Sequence, residues 1–134
     1  LYIAKPHVFI SNNHPLANKE EITIQDLMSY PYLVFEQGKH NSFYFSEEFL
    51  SSLEFPKNIM VRDRATLFNL LIGLNGFTVC SGIIDTELNG ENIISKPLKS
   101  DCSMRIGILT RKNSVISRYG VSYLNVLKNH LPID

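Results

Sequence analysis

The sequence predicts an α/β fold, with a mixed, mostly parallel sheet flanked by helices. Three observations predict it. Short apolar runs alternate with stretches of helical period along most of the chain, the pattern of strands joined by covering helices. Residues 57–82 read as strand, helix and strand in succession, which is a βαβ unit. Tyr32, Leu33, Val34 and Phe35 are apolar throughout, as a strand buried on both faces of a parallel sheet should be.

The elements follow in order. Tyr2, Ile3 and Ala4 form a short extended run that Pro6 interrupts, and residues 7–10 resume as a strand. Residues 11–17 are polar and turn-rich, with a helical turn expected after Pro15. Thr23 caps a short helix that Pro31 closes off before the strand at 32–35. A polar loop of residues 36–42 leads to a helix carrying Phe45, Phe49, Leu50 and Leu53, ended by Pro56. The strand at 57–62 gives way to Asp63, a good N-cap. Leu67, Leu70, Leu71 and Leu74 then recur at helical spacing. Phe68 and Ile72 fill the neighbouring face, so this helix should be buried nearly all round. Gly76 is expected as its left-handed terminator, with Phe77 folding back on Ile72. Residues 77–80 form a buried strand, and Asn89-Gly90 signals a turn. Residues 93–98 form a strand that Pro97 places at an edge or at its end. Residues 104–109 form the last strand. Ser114 is expected to cap a last helix with Ile116, Tyr123, Leu124, Leu127 and Leu131 on its apolar face.

Composition narrows the function. The chain has 134 residues, 44% of them hydrophobic and 19% charged, which suits one ordinary domain with a core. Its 13 basic and 13 acidic residues cancel, so this segment should not grip nucleic acid by itself. No apolar run approaches a membrane span, and no metal or cofactor motif is visible. Cys80 and Cys102 lack a metal-type spacing and read as two reduced, mostly buried thiols. The first residue is Leu1 and no signal peptide is visible, so the chain reads as a piece of something longer.

Ligands of open α/β sheets sit beyond the carboxyl ends of the strands. Three polar segments fall there. The loop after residue 35 offers Lys39, His40, Asn41 and Ser42. The start of the central helix offers Arg62, Asp63, Arg64, Ala65 and Thr66. Ser81 and Gly82 follow the strand at 77–80. Hydroxyls, amides and helix-end N–H groups in one cleft suit a small anionic or zwitterionic molecule, and Arg62 or Arg64 could pair with its carboxylate. The same residues are explained equally well as caps (Asp63, Asn41, Ser42) and solvated arginines. His40 with Cys80 invites a thiolate–base enzyme, but no triad accompanies them, and Cys80 ends an apolar run. The basic residues Arg111, Lys112, Arg118 and Lys128 read as a solvated face.

At this point the chain resembles a family. Val8-Phe9-Ile10 followed by His14-Pro15-Leu16-Ala17 looks like the strand-then-HPLA entry of the effector-binding domain of LysR-type transcriptional regulators. Ile22 to Leu27, ITIQDL, is similar to the segment that follows in the family. Asp63, Leu67, Leu70-Leu71 and Gly76 match its central helix and turn. Leu74 stands where the family has a Gly, and Ser81 where it has a Pro. The resemblance implies a type-2 periplasmic-binding-protein-like fold, with residues 5–98 as the second effector-binding lobe. Residues 1–4 and 103–134 would be the remnant of an incomplete first lobe. It also implies a cytoplasmic bacterial regulator, a small-molecule effector, DNA contact through a domain absent here, and a homo-oligomer. The family's effector contacts fall on Lys39, His40, Asn41 and Ser42 and on Arg62 to Thr66. The loop EQGKHNSFYFSEE is similar to regulators of sulfur amino acid metabolism. Two other functions stay open: a solute-binding protein fragment of a transporter, and a small Cys/His enzyme.

Overall fold

The computed structural model describes residues 1–36 and 55–130. The loop residues Lys39, His40, Asn41 and Ser42 and the helix expected around Phe45 to Leu53 lie outside the described residues.

The chain begins with β1 (Tyr2–Ala4) and, after Pro6, β2 (His7–Ser11). Helix α1 (Ile24–Leu27) opens with a reciprocal cap. The Asp26 N–H donates to Thr23 Oγ1 and the Thr23 N–H to Asp26 Oδ2, at 3.3 and 3.0 Å. Strands β3 (Tyr32–Phe35) and β4 (Asn58–Val61) pair in parallel. Helix α2 (Arg64–Gly73) and strand β5 (Thr78–Cys80) complete the βαβ unit. One helical turn, α3 (Thr86–Asn89), stands where only a turn was expected. Asp85 caps it and Gly90, at φ 70°, ends it. Strands β6 (Ile93–Pro97) and β7 (Met104–Ile106) and helix α4 (Arg118–Asn129) follow.

The main sheet is mixed. β3 and β4 are parallel, and β5 joins β3 through a parallel bridge between Tyr32 and Phe77. β2 lies between β5 and β6, antiparallel to both. So β3, β4, β5 and β6 run one way and β2 alone runs against them. Pro97 is the last residue of β6, at the sheet edge, where its missing N–H costs no ladder bond. Among the described residues, β1 and β7 pair only with each other.

Strand alternation sends side chains to two faces and produces two cores. On one side Val8, Ile10, Ile22, Leu27, Tyr32, Phe55 and Phe77 cluster under α1. The Tyr32 and Phe77 rings stack at 5.0 Å, and Phe55 meets Phe77 edge-on at 5.3 Å. On the other side Phe9, Leu33, Val61 and Ile93 meet Leu67 and Leu71 of α2.

Several expectations need correction. Only Leu67 and Leu71 of α2 are buried, and Ile72 and Leu74 are exposed, so α2 is covered on one face rather than all round. The left-handed residue after α2 is Asn75, at φ 48°, not Gly76. Gly76 is required for a different reason: a Cβ there would lie 2.4 Å from Leu33 Cδ1 and 3.1 Å from the Pro31 carbonyl. Phe77 packs on the α1 side with Tyr32, not on Ile72. The last strand is shorter than residues 104–109. The last helix is capped by Ser117, whose Oγ accepts from the Gly120 N–H, while Ser114 turns its hydroxyl to the Arg111 carbonyl. Ile116 therefore precedes the helix. The cysteines are not both buried: Cys80 is half-buried at the end of β5, while Cys102 is exposed because it lies in the irregular chain between β6 and β7. No residue of α4 is buried; Tyr119 and Tyr123 are 72% and 66% exposed.

Candidate functional site

Parallel β3, β4 and β5 deliver their carboxyl ends to one edge of the sheet, and the reversed β2 brings its amino end there too. Four segments meet at this edge: Glu36 after β3, Arg62 to Thr66 after β4, Ser81-Gly82 after β5, and His7 at the start of β2.

Glu36 and Arg62 find each other across adjacent strands. Arg62 Nε donates to Glu36 Oε2 and Nη2 to Oε1 at 3.3 Å, a fork on both carboxylate oxygens. The pairing holds the Glu36 carboxyl below its ordinary value and the Arg62 guanidinium above its own. Both side chains are well exposed, so water screens the pair and it adds little to stability. Arg62 is thus already neutralised.

Asp63 is a cap. Oδ1 accepts the Thr66 N–H and Oδ2 the Thr66 hydroxyl, each at 2.8 Å. The Thr66 N–H, with help from its hydroxyl, holds the Asp63 carboxyl below the usual range. The N–H groups that the sequence offered to an outside anion are therefore partly taken by the protein's own carboxylate. Arg64 is different: it is exposed and has no ion-pair or hydrogen-bond partner among the described residues. Its charge reaches Cys80, where it favours the thiolate, but burial outweighs it and pushes the Cys80 thiol up to about 12. The Cys80 Sγ faces the His7 carbonyl at 3.8 Å. A thiol so placed is a poor nucleophile at neutral pH.

The sequence did not single out His7 for this edge. It pairs with Cys80 across the β2–β5 ladder. Its Nδ1 donates to the Lys5 carbonyl at 2.9 Å, and Gly82, at φ 86°, packs against the ring. No local signal placed it here, because only the reversal of β2 brings it beside the β5 terminus. Ser81 is half-buried at the same corner. The structure thus brings Arg62, Asp63, Arg64, Ala65, Thr66 and Ser81 to one edge. Arg62, Asp63 and Thr66 are internally engaged there.

His14 also acquires a role. Its ring is buried, Nδ1 accepts the Leu16 N–H at 3.1 Å, and Nε2 lies 3.0 Å from the Asn75 carbonyl. Both partners are used by the neutral ring with its proton on Nε2, and burial lowers its basicity. His14 thereby ties the turn after β2 to the end of α2. Among the described residues no cluster of His, Cys, Asp and Glu is arranged to hold a metal ion. No helix among them is long and apolar enough to cross a membrane.

Comparison with known proteins agrees with this architecture. The model of the LysR substrate binding domain matches residues 1–132. No curated protein matches the sequence. Among solved structures, the chain is similar to HinK, a LysR family transcriptional regulator from Pseudomonas aeruginosa. They share 16% identity and a TM-score of 0.57 over 76% of this chain and 36% of that one. It is similar to the effector binding domain of QuiR in complex with shikimate at 21% identity and a TM-score of 0.66. That match covers 98% of this chain and 65% of the other. The regulatory domain of MetR, a LysR family regulator from N. meningitidis, shares 12% identity and a TM-score of 0.58. There the shares are 75% and 47%. The chain spans less than two thirds of each of these structures, and likeness at such identities carries the fold alone. The fold is the type-2 periplasmic-binding-protein-like one that the motifs implied. With the family model matching nearly end to end, the chain belongs to the LysR substrate-binding domain family.

Proposed function

We propose that this chain is the effector-sensing part of a cytoplasmic bacterial transcription regulator. It binds a small carboxylate-bearing metabolite at the edge where β3, β4 and β5 end. The family match supports the regulator; the observation that carries the site is Arg64. It is the cation at this edge that no carboxylate of the described residues has already taken, at the head of a helix whose dipole also favours negative charge. Arg62, Asp63 and Thr66 act as a scaffold: the Glu36–Arg62 fork and the Asp63 cap fix the strand ends around Arg64.

Residues 5–98 form one effector lobe in this reading, and residues 1–4 and 103–134 belong to a second lobe. The pairing of β1 with β7 alone and the uncovered α4 support that division. The second lobe, DNA contact and association into oligomers would require sequence or partners beyond these 134 residues. An effector then acts by preferring one lobe arrangement over another. The raised Cys80 thiol speaks against a Cys/His enzyme, and no catalytic role is assigned. The loop beginning at Glu36 makes sulfur amino acids and their precursors the first compounds to test.

Calorimetry on the full-length regulator against amino-acid and sulfur-metabolite sets tests the site. Arg64→Ala should weaken the tightest binder by about tenfold, the loss of one charge-assisted hydrogen bond. Arg62→Ala should weaken it less. Unchanged affinity in Arg64→Ala refutes the site.

A further inference from the structure

We propose that His7 is the second contact of the effector site. Its Nε2 takes a hydrogen bond from a hydroxyl or ammonium group of an effector whose carboxylate pairs with Arg64. The inference rests on the proposed effector site and narrows its ligand class to hydroxy- or amino-carboxylates.

Three observations carry it. The first is position. His7 and Phe9 project to the same face of β2, and Phe9 packs in the core that contains Leu67 and Leu71 of α2. His7 also pairs with Cys80, the last residue of β5, which packs against that same core. His7 therefore stands on the α2 face of the sheet, at the end of the sheet where α2 begins.

The second is the state of the ring. A carbonyl can only accept, so the 2.9 Å contact with Lys5 puts the proton of the neutral imidazole on Nδ1. That leaves Nε2 with an open lone pair, and no described residue donates to it. A half-buried acceptor held in a fixed tautomer, with no donor of its own, is a ready partner for a ligand N–H or O–H.

The third is the way the ring is held. A Cβ on Gly82 would lie 2.5 Å from Nδ1, 2.6 Å from Cγ and 3.0 Å from Cε1. Gly82 thus lies close against the Nδ1 edge of the ring. Any side chain there would drive the imidazole away, and φ of 86° disfavours one in any case. Lys5 from the chain entering β2 and Gly82 from the chain leaving β5 both hold the Nδ1 edge of His7, which leaves Nε2 away from these contacts.

The test uses the unsubstituted full-length regulator, labelled with ¹⁵N, and five probes at millimolar concentration: acetate, lactate, L-serine, L-methionine and shikimate. The reporters are the Arg64 Nε and the His7 Nε2 resonances. Acetate should move Arg64 alone, while at least one of the four probes that carry a donor should move both. His7→Ala should then weaken that probe about tenfold and leave acetate unchanged. If Arg64 responds but His7 does not move with any probe, the inference falls and the proposed site stands. If Arg64 responds to none, the proposed site falls and the inference with it. The resonance shifts are read on the unsubstituted chain, so they decide between these outcomes even where a variant folds poorly.

Discussion

Replacing His14 by Ala should destabilise the chain by about 2–3 kcal/mol at pH 8. His14 is 3% exposed. Its removal strips the Leu16 N–H of its acceptor in a buried setting, at a cost of about 2 kcal/mol. The bond to the Asn75 carbonyl is also lost, but Asn75 is exposed and its oxygen can turn to water, so about 1 kcal/mol is enough there. The sign of the pH dependence follows from burial, which lowers the basicity of the folded ring below the ordinary imidazole value of 6.5. Below 6.5 the unfolded chain binds a proton that the folded chain refuses, so stability falls as pH falls and is full above that value. His14→Ala has no such ring to titrate. The stability gap between the two proteins should therefore shrink from pH 8 toward pH 5. Urea denaturation followed by far-ultraviolet circular dichroism measures it, and carboxylates common to both proteins cancel in the difference. His14→Asn should recover most of the loss, because its amide oxygen can accept the Leu16 N–H, and it should do so without pH dependence. A gap that stays flat or widens on acidification refutes the neutral-ring assignment.

Gly76→Ala should cost about 1–3 kcal/mol, because the added methyl must displace buried Leu33 or the Pro31 carbonyl; a change under about 0.5 kcal/mol in urea denaturation would contradict the close packing. Thr23→Ala should cost about 1 kcal/mol by opening the α1 cap. Breaking the Glu36–Arg62 fork with Glu36→Gln should leave the denaturation midpoint nearly unchanged, since both groups are solvent-exposed. Iodoacetamide at pH 7.5, read by mass spectrometry, should label exposed Cys102 in the folded chain and reach Cys80 only after unfolding. Rapid native labelling of Cys80 would reopen the thiolate reading.

What could be read from the sequence was local. The Asp63 cap and the leucine spacing behind it announced α2, and Thr23 announced α1, because a cap and its helix lie within a few residues of each other. What escaped was set across the fold. Asn75 and Gly76 are neighbours that both tolerate a left-handed backbone. In the fold Asn75 takes the left-handed backbone, while Gly76 answers to Leu33 of β3, whose side chain leaves no room for a Cβ there. Ser114 and Ser117 are equally good caps by type. The positive φ of Asn113 and the Ser114 bond to Arg111 close a turn first, which delays the helix to Arg118. The direction of β2 has no sequence signature at all, since alternation is the same in both directions. The partners of the candidate site share that difficulty. Glu36 and Arg62 are 26 residues apart, and only the parallel register of β3 and β4 makes them neighbours.

The charges at the strand ends alter what the sequence suggested about selectivity. From the sequence, two arginines and a helix N-terminus suited an anionic or zwitterionic molecule alike. In the folded chain Glu36 matches Arg62, and Asp63 sits on the helix N-terminus, so Glu36, Arg62, Asp63 and Arg64 sum to zero. A bare anion such as acetate can still pair with Arg64 but only weakly, because repulsion from Asp63 offsets part of the attraction. A ligand does better when it brings a positive or donating group along with its carboxylate, for then the second group answers the protein's own acceptors. At the proposed site, recognition would depend on matching two groups at once, with the internal carboxylates supplying the discrimination.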